Sequence, residues 1–298
     1  MNLYKPLGWT SHDCVAKVRR LTNQKKVGHG GTLDPAACGV LPIALGRATR
    51  LLQFLPTDKA YRAVVRFGQT TTTDDLEGDV IHSTEASHLT QAAAITLLSE
   101  FVGTIEQVPP RYSAIQVQGQ RLYDLARQGQ TFEVPTRTVT IHRIEPIDWQ
   151  AGKFPELTLD IVCSAGTYIR AIARDLGHRL GIGGTLAALE RTKSSGFTLD
   201  SSSTLEQLAS QLQADEYQPI SPAIALQHHP RILLPADLAR RWQQGQKIPY
   251  QVKEFDLGCT CYQVYGPNET FLGMTEWAFV PDTDEIRLLP KVVFAPPS

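Results

Sequence analysis

One segment of the sequence, a predicted loop at residues 28–39 with the start of the strand that follows it, carries the residues best suited to do chemistry. Residues 28–42 contain four glycines and a single carboxylate, Asp34, which precedes Pro35. Glycine permits close approach of the backbone to a ligand, and proline biases the residue before it toward an extended conformation. The pattern therefore predicts that Asp34 is presented by an ordered loop. A tight turn in which Asp34 hydrogen-bonds its own backbone is the alternative that these residue types leave open.

Elements on either side must hold this loop, and the hydrophobic pattern predicts them. Before the loop, Ser11 can cap a helix whose apolar positions Val15, Val18 and Leu21 recur at helical spacing. Further along, strands are predicted at residues 40–45, 61–67, 113–117, 134–144 and 157–163, and helices at 48–55, 89–101, 121–127 and 167–180. Since strands and helices alternate irregularly, we predict an α+β fold with a mixed, largely antiparallel sheet.

A shift in composition divides the chain. After Thr204 the sequence becomes rich in Gln and Ser up to His229, and short strands are then predicted around Val252 and at residues 261–265, 271–274 and 286–289. We therefore predict a large domain of residues 1–228 and a small β-rich module of residues 229–298.

Composition excludes several classes of protein. With 42% hydrophobic and 20% charged residues, the chain is neither disordered nor collagen-like, and no apolar run reaches the roughly 18–20 residues that span a bilayer. The first residues lack the apolar core of a signal peptide, so we expect a cytoplasmic protein. The five cysteines form no CxxC pair, and no phosphate-binding glycine loop is present, so we expect neither metal nor cofactor.

Charge is unevenly distributed, although the net charge is only −1. Basic residues collect in residues 5–26 and 47–66, and acidic residues in the turn at 74–79. A basic surface favours binding to a phosphate backbone, but charge runs are also typical of solvated faces. Charge alone therefore leaves RNA binding and an ordinary surface equally open.

The loop at residues 28–42 resembles the catalytic motif of the TruB family of pseudouridine synthases. The family pattern, roughly G-H-T-G-T-L-D-P-x-A-x-G-V-L-P, matches nearly every position, and Gly30 departs from it where the family usually has Thr. Glu190 is a second departure, where the family often has Arg. The resemblance covers most of the chain through further segments: Lys5-Pro6-x-Gly8, Tyr61-Arg62-Ala63, Thr73-Asp74-Asp75-x-x-Gly78, residues 109–129, residues 163–170 and Leu189-x-Arg191-Thr192.

This resemblance implies a reaction and a set of site residues. A family member isomerises uridine 55 in the T loop of tRNA to pseudouridine without a cofactor, after flipping the nucleotide out of the loop. Carried over to this chain, Asp34 becomes the catalytic aspartate, Tyr61 the aromatic residue beside the target base, and Arg170 the partner of Asp34. Substrate or RNA contacts are implied for four further residues: His29, Tyr168, Leu189 and Lys5. Lys5 is also implied to support the active-site loop, together with Pro6.

The resemblance also implies how RNA is held. Residues 109–137 resemble the thumb-like insertion of the family, and residues 229–298 resemble a PUA-type RNA-binding module. The expected partner is the T-arm of tRNA. We expect a monomer with no obligate protein partner and no association with a membrane.

Two functions of other classes compete with this interpretation. A tRNA-binding or tRNA-folding protein with secondary or no catalytic activity would share the basic helix and the C-terminal module, but would not require Asp34 beside Arg170. A nucleoside or glycoside hydrolase would need a second carboxylate at the site, and none of the matched segments supplies one.

Overall fold

A mixed sheet of nine strands forms the centre of the large domain in the computed structural model, which describes residues 1–113, 116–117, 120–121, 134–250, 258–281 and 285–294. Its strands are, in chain order, β1 (Asn2–Lys5), β2 (Val27–His29), β3 (Ala37–Leu45), β4 (Lys59–Phe67), β7 (Gly103–Gln107), β10 (Arg137–Gln150), β11 (Glu156–Cys163), β12 (Gly184–Ser194) and β13 (Phe197–Thr198). Two hairpins lie outside it: β5 (Gln69–Thr71) with β6 (Val80–Ser83), and β8 (Gln116–Val117) with β9 (Gln120–Arg121).

The order across the sheet is β1-β3-β12-β4-β11-β10-β7, with β2 beside β3 and β13 beside β12. Neighbouring strands are antiparallel except for β12 and β3, which run parallel. The predicted α+β class with a largely antiparallel sheet is therefore confirmed. The loop of residues 30–36 joins β2 to β3 and carries Asp34; we call it the catalytic-motif loop. The parallel pair places this loop beside the middle of the sheet.

The helices of the large domain are α1 (Ser11–Leu21), α2 (Gln91–Thr96), α3 (Ile169–Arg179), α4 (Leu205–Gln213) and α5 (Pro222–Ala225), with 3-10 helices at Gly46–Phe54, Leu97–Phe101 and Leu199–Ser201. The helix predicted at 167–180 is confirmed as α3. Those predicted at 48–55 and 89–101 are wholly or partly 3-10 helices, which periodicity does not separate from α-helix over so few residues. None of the helices in the described ranges is long and apolar enough to cross a membrane.

Some predicted elements lie outside the described residues. They are the helix at 121–127 except for Arg121, which instead belongs to β9, part of the strand at 113–117, most of the thumb-like insertion at 109–137, and the strand around Val252.

The start of α1 differs from the prediction, because Thr10 rather than Ser11 is the N-terminal cap. The Thr10 Oγ1 accepts from the Asp13 backbone nitrogen at 3.0 Å, and the Asp13 carboxylate accepts from the Thr10 nitrogen at 2.9 Å. Ser11 is buried instead, and its Oγ donates to the Leu33 carbonyl at 3.1 Å while accepting from the Leu33 nitrogen at 2.8 Å. This pair of bonds ties α1 to the residue before Asp34.

Strand β4 shows why the sequence forms the core where it does. Tyr61, Ala63, Val65 and Phe67 alternate along the strand and are all buried, as the period of two requires. Their neighbours on the other face include Arg62, whose guanidinium pairs with Asp160 of β11 at 2.9 Å. Burial of each large apolar side chain contributes about 1.5–3 kcal/mol, so the buried face stabilises this part of the sheet.

The C-terminal module has a sheet of its own. Its elements are β14 (Arg231–Leu233), α6 (Ala236–Gln243), β15 (Ile248–Tyr250), β16 (Cys261–Gly266), β17 (Thr270–Phe279) and β18 (Ile286–Val293), and the strand order is β14-β16-β17-β18-β15. The fully buried Trp242 lies at the centre of its core. A second cluster, formed by Leu51, Leu226, Met274 and Val292, packs the module against the 3-10 helix Gly46–Phe54. The β-rich module is confirmed, and its boundary near residue 228 stays a prediction.

The parallel pairing of β12 with β3 depends on a close approach of two backbones at Gly39. This residue has a φ of 103°, and a Cβ placed on it would lie 2.4 Å from the Arg191 carbonyl oxygen. No side chain fits there without separating the strands.

Gly39→Ala should therefore lower the free energy of unfolding by about 3–5 kcal/mol, since the strain of a positive φ adds to the steric overlap. Gly103→Ala is the matched control, because Gly103 has a φ of 99° but a Cβ added there would meet nothing within 4 Å. We expect a loss of about 1–2 kcal/mol there. Urea denaturation of both variants measures the difference, and equal losses would show that the close approach costs nothing.

Candidate active site

Asp34 lies at the tip of the loop between β2 and β3, and its side chain is 50% exposed. The residues around it are fixed from two directions. The Pro35 carbonyl accepts from the Gly8 nitrogen at 2.9 Å, and Leu33 is held by Ser11. The loop thus presents its carboxylate from an anchored backbone, as the sequence predicts.

Arg170, the second residue of α3, provides the partner of Asp34. Its Nη2 lies 2.9 Å from Asp34 Oδ2, so the predicted pairing is present although the two residues are far apart in sequence. The Arg170 side chain is only 9% exposed, and its Nη1 also lies 3.3 Å from Asp75 Oδ2. The same guanidinium donates to the carbonyls of Thr73 and Tyr112, each at 3.1 Å. A buried cation is thereby bonded on both of its terminal nitrogens.

Asp75 is a site residue whose role the sequence did not predict. It is buried, and its Oδ1 accepts from the Thr73 hydroxyl at 2.5 Å and from the Glu77 nitrogen at 3.1 Å. The acidic turn at 74–79 had suggested only a cluster of surface charge, and the expectation that no matched segment supplies a second carboxylate to the site is wrong, because Asp75 shares Arg170 with Asp34. The sequence did contain one signal for this role. Arg170 and Arg174 are one helical turn apart, which matches the two adjacent carboxylates of the acidic turn with which they pair.

The second of these carboxylates, Asp74, pairs with Arg174 at 2.9 Å. Burial raises the pKa of Asp74, and the charge of Arg174 opposes that rise. The Arg174 guanidinium also donates to the Val108 carbonyl at 2.8 Å. The two arginines of α3 thus fix the turn after β5 and, through Arg170, the orientation of Asp34.

Arg191 of β12 supports the catalytic-motif loop from below. It is fully buried, and its guanidinium donates to the carbonyls of Val40 at 2.8 Å, Thr32 at 3.2 Å and Gly31 at 3.0 Å. Burial lowers the pKa of Arg191. The sequence matched this residue to the family without assigning it a role, because nothing in a sequence shows that an arginine will bond to loop carbonyls.

Tyr61 lies opposite Arg191 on the neighbouring strand, beneath the loop. It is almost completely buried, and burial raises the pKa of Tyr61 to about 12, so the phenol is neutral near pH 7. Leu33 and Ala37 belong to the same buried cluster, and the partly buried Leu189 packs against it. The structure therefore brings Tyr61 and Leu189 together in one apolar cluster with Leu33 of the Asp34 loop.

His29 is the last residue of β2, just before the loop, and Tyr168 immediately precedes α3. The His29 Nδ1 accepts from the Gly31 nitrogen at 3.3 Å, and its ring contacts His12 edge-on with centroids 5.5 Å apart. Burial and then the charge of His12 lower the pKa of His29, which favours a neutral ring. Tyr168 precedes α3, and Gln107 clamps its backbone with bonds of 2.8 Å to the nitrogen and 3.0 Å to the carbonyl.

Lys5 has the position of a supporting residue rather than that of an RNA contact. The side chain is fully buried, and its ammonium donates to the carbonyls of Pro6 at 2.9 Å and Trp9 at 2.6 Å. Burial lowers the pKa of Lys5. A direct contact with RNA, as the resemblance implied, is not compatible with this burial, because the ammonium faces the turn between β1 and α1.

Gly30 and Glu190, which depart from the family pattern, each contact neighbouring residues in the structure. A side chain on Gly30 would bring its Cβ to 3.3 Å from the Pro42 Cβ and 3.4 Å from the Ser195 Oγ, so a larger residue needs its neighbours to yield. Glu190 accepts a hydrogen bond from the Tyr4 hydroxyl at 2.9 Å. Glu190 is thus bound within the sheet rather than left as an isolated negative charge.

The arrangement offers one half-exposed carboxylate above a neutral aromatic wall. Asp34 Oδ2 is held by Arg170, and the Asp34 side chain is half exposed, so a ligand can reach the carboxylate. Within the described ranges, no group of three or more His, Cys, Asp or Glu side chains could hold a metal ion. Such a site suits nucleophilic or proton-transfer chemistry by a single carboxylate.

Family models match successive parts of the chain. Residues 19–169 match the "TruB family pseudouridylate synthase (N terminal domain)", residues 170–239 match the "tRNA pseudouridylate synthase B C-terminal domain", and residues 230–292 match "Pseudouridine synthase II TruB, C-terminal".

Individual proteins extend this likeness over the whole chain. A "tRNA pseudouridine synthase B" of Trichormus variabilis is 54% identical over 296 residues, which cover 99% of this chain and 98% of the relative. One from a Nostoc species is 53% identical, also over 296 residues, with the same two coverages. A solved structure, "Crystal Structure of a Cbf5-Nop10-Gar1 Complex", has a TM-score of 0.73 at 26% identity and covers 99% of this chain and 84% of that one.

The double pairing of Arg170 predicts a role in stability for Asp75. Asp75→Asn removes one of the two charges that compensate the buried guanidinium, so the free energy of unfolding should fall by about 2–3 kcal/mol. Asp79→Asn, in the exposed part of the same turn, should change it by no more than about 0.5 kcal/mol. Urea denaturation compares the two variants. Equal stability of both would mean that Asp34 alone compensates Arg170.

Proposed function

This chain belongs to the TruB family of pseudouridylate synthases and isomerises uridine to pseudouridine in tRNA, and we propose that its target is uridine 55 of the T loop, with Asp34 as the catalytic carboxylate. The observation that carries the assignment of Asp34 is its contact with Arg170 at 2.9 Å, at the tip of an otherwise anchored loop. A tRNA-folding protein without catalysis would have no need of a carboxylate held in this way.

The reaction explains why a single oriented anion is useful. The bond between N1 of uracil and C1′ must break, the base must turn, and C5 must bond to C1′ and lose its proton. A carboxylate can serve this sequence by attacking C1′, by adding to the ring, or by accepting a proton. All three roles place Asp34 Oδ1 against the sugar and base of the reacting nucleotide, and Arg170 keeps the carboxylate in that orientation.

The uridine must leave its loop before it can reach Asp34. Extrusion costs a few kcal/mol, which stacking and backbone contacts offset. We assign Tyr61 and Leu189 to the wall that receives the base, since both lie beneath the Asp34 loop. The raised pKa of Tyr61 argues that it acts as a neutral phenol and not as a base. Tyr168, only partly buried at the start of α3, is assigned to the rim of the same cleft.

The remaining assignments concern the support of the loop and the hold on RNA. We assign His29 to the RNA surface beside the vacated nucleotide position, and Lys5 to support of the loop from the β1–α1 turn. The thumb-like insertion at 109–137 and the PUA-like module at 229–298 are proposed to grip the T-arm. We further propose that the enzyme works in the cytoplasm as a monomer, without metal, cofactor or obligate protein partner.

Replacement of the carboxylate tests the central assignment. Asp34→Asn preserves size and removes the anion, so pseudouridine formation should fall to background while tRNA binding stays within about threefold. Asp58→Asn is the control. Asp58 is exposed, immediately precedes β4, and pairs with His142 of β10. Pseudouridine is mapped by mass spectrometry in tRNA transcripts after incubation without added cofactor. Substantial conversion at uridine 55 by the Asp34→Asn protein would exclude Asp34 as the essential group.

Arg170→Lys tests whether a fork-shaped cation is required. A lysine keeps the charge but cannot reach Asp34, Asp75 and two carbonyls at once, so the single-turnover rate should fall by about 100-fold. Affinity for tRNA should change little, because the side chain faces the protein interior. Rates at saturating enzyme are compared with filter-binding affinities. A defect seen only in binding would identify Arg170 as a phosphate contact and refute its proposed role beside Asp34.

A further inference from the structure

Two positively charged side chains meet beneath Gly31 in the catalytic-motif loop. A Cβ placed on Gly31 would lie 3.5 Å from the Nζ of Lys59 and 3.7 Å from the Nη1 of Arg191. Lys59 begins β4 and shares a face of that strand with Tyr61, two residues on. The lysine therefore points toward the same loop that carries Asp34.

Neither cation has a carboxylate partner within the described residues. Arg191 donates to two loop carbonyls, those of Gly31 and Thr32, and to the Val40 carbonyl of β3; these bonds satisfy its donors without neutralising its charge. The Lys59 ammonium forms no hydrogen bond or ion pair with any described residue, and the carboxylate next to it in sequence, Asp58, is directed to His142 at 3.4 Å. Within the described ranges, no carboxylate thus compensates the positive charge beneath the loop.

The other basic side chains of β4 behave differently. Arg62 pairs with Asp160 at 2.9 Å and Arg66 with Glu156 at 2.7 Å, both on the opposite face of the strand. Burial and then the charge of Arg191 lower the pKa of Lys59, so its environment disfavours the charged form. A half-buried lysine placed against a second cation is destabilising in a protein unless an anion joins it.

The substrate brings such an anion, since every nucleotide of an RNA strand carries one phosphate. We propose that Lys59, with the charge of Arg191 behind it, binds a backbone phosphate that flanks the reacting uridine. Lys59 Nζ lies beside Gly31, three residues from Asp34 on the same loop, so the ammonium is close to the loop that an extruded nucleotide must approach. This inference rests on the proposed function, and it adds a phosphate-binding residue to the site.

The test uses the full chain and a T-arm stem–loop transcript. Each phosphate contact contributes about 0.7–0.9 to the slope of log affinity against log salt concentration. Lys59→Met should reduce the slope by about that amount and weaken binding about tenfold at low salt. The control Arg62→Met should do neither, because Arg62 is already paired with Asp160.

Thermal melting without RNA separates a binding role from a structural one. Since Lys59→Met removes an unpaired charge, the melting temperature should stay the same or rise. A lower melting temperature together with an unchanged salt slope would make Lys59 a structural residue and overturn the inference.

Neutral methylphosphonate linkages placed on either side of the target uridine then locate the phosphate. At one position the linkage and Lys59→Met should not be additive, because both remove the same contact. Full additivity at both positions would refute a flanking phosphate. These are binding measurements, so they remain interpretable if pseudouridine mapping fails, and a failure of that mapping alone would count against the proposed target or against Asp34 but not against Lys59.

Discussion

The guanidinium of Arg170 joins three segments that are distant in the chain: the loop carrying Asp34, the turn carrying Asp75, and the first turn of α3. A nearly buried cation is costly unless charges and hydrogen bonds compensate it. Here two carboxylates and two carbonyls do so, at distances of 2.9–3.3 Å. Because the half-exposed Asp34 shares this cation with a buried carboxylate, its orientation is fixed from inside the protein rather than by solvent-exposed contacts.

A second arginine solves a different problem. An irregular loop over the middle of a sheet leaves backbone carbonyls without strand partners, and buried carbonyls need donors. Arg191 donates to the loop carbonyls of Gly31 and Thr32 and to Val40 of β3, and Lys5 donates to the Pro6 and Trp9 carbonyls of the adjoining turn. Arg191 and Lys5 bring a positive charge to the site together with their hydrogen-bond donors. No carboxylate among the described residues pairs with Arg191. Arg191 and the neighbouring Lys59 therefore present positive charge that can attract a polyanionic substrate.

The fold that positions Asp34, Arg170 and Arg191 is similar to that of a solved structure at 26% identity, with a TM-score of 0.73. In this chain, the approach of β12 to β3 needs a glycine at position 39. The C-terminal module adds its own core around Trp242, and the cluster containing Leu51 and Met274 seats it on the large domain. Its position relative to the loop therefore follows from apolar packing and not from a flexible linker alone.

By itself, the sequence determined the family, the catalytic-motif loop with Asp34, and the strands whose alternation is clear, such as β4. It also indicated Arg170, though only through resemblance, because Asp34 and Arg170 are too far apart for any local pattern to connect them. Tertiary structure alone decided that Asp75 shares Arg170, that Lys5 faces inward, that Arg191 bonds to the loop, and that Thr10 rather than Ser11 caps α1. Periodicity reports which face of an element is buried, whereas the partner of a buried charge depends on which distant segments the fold brings within about 3 Å of it.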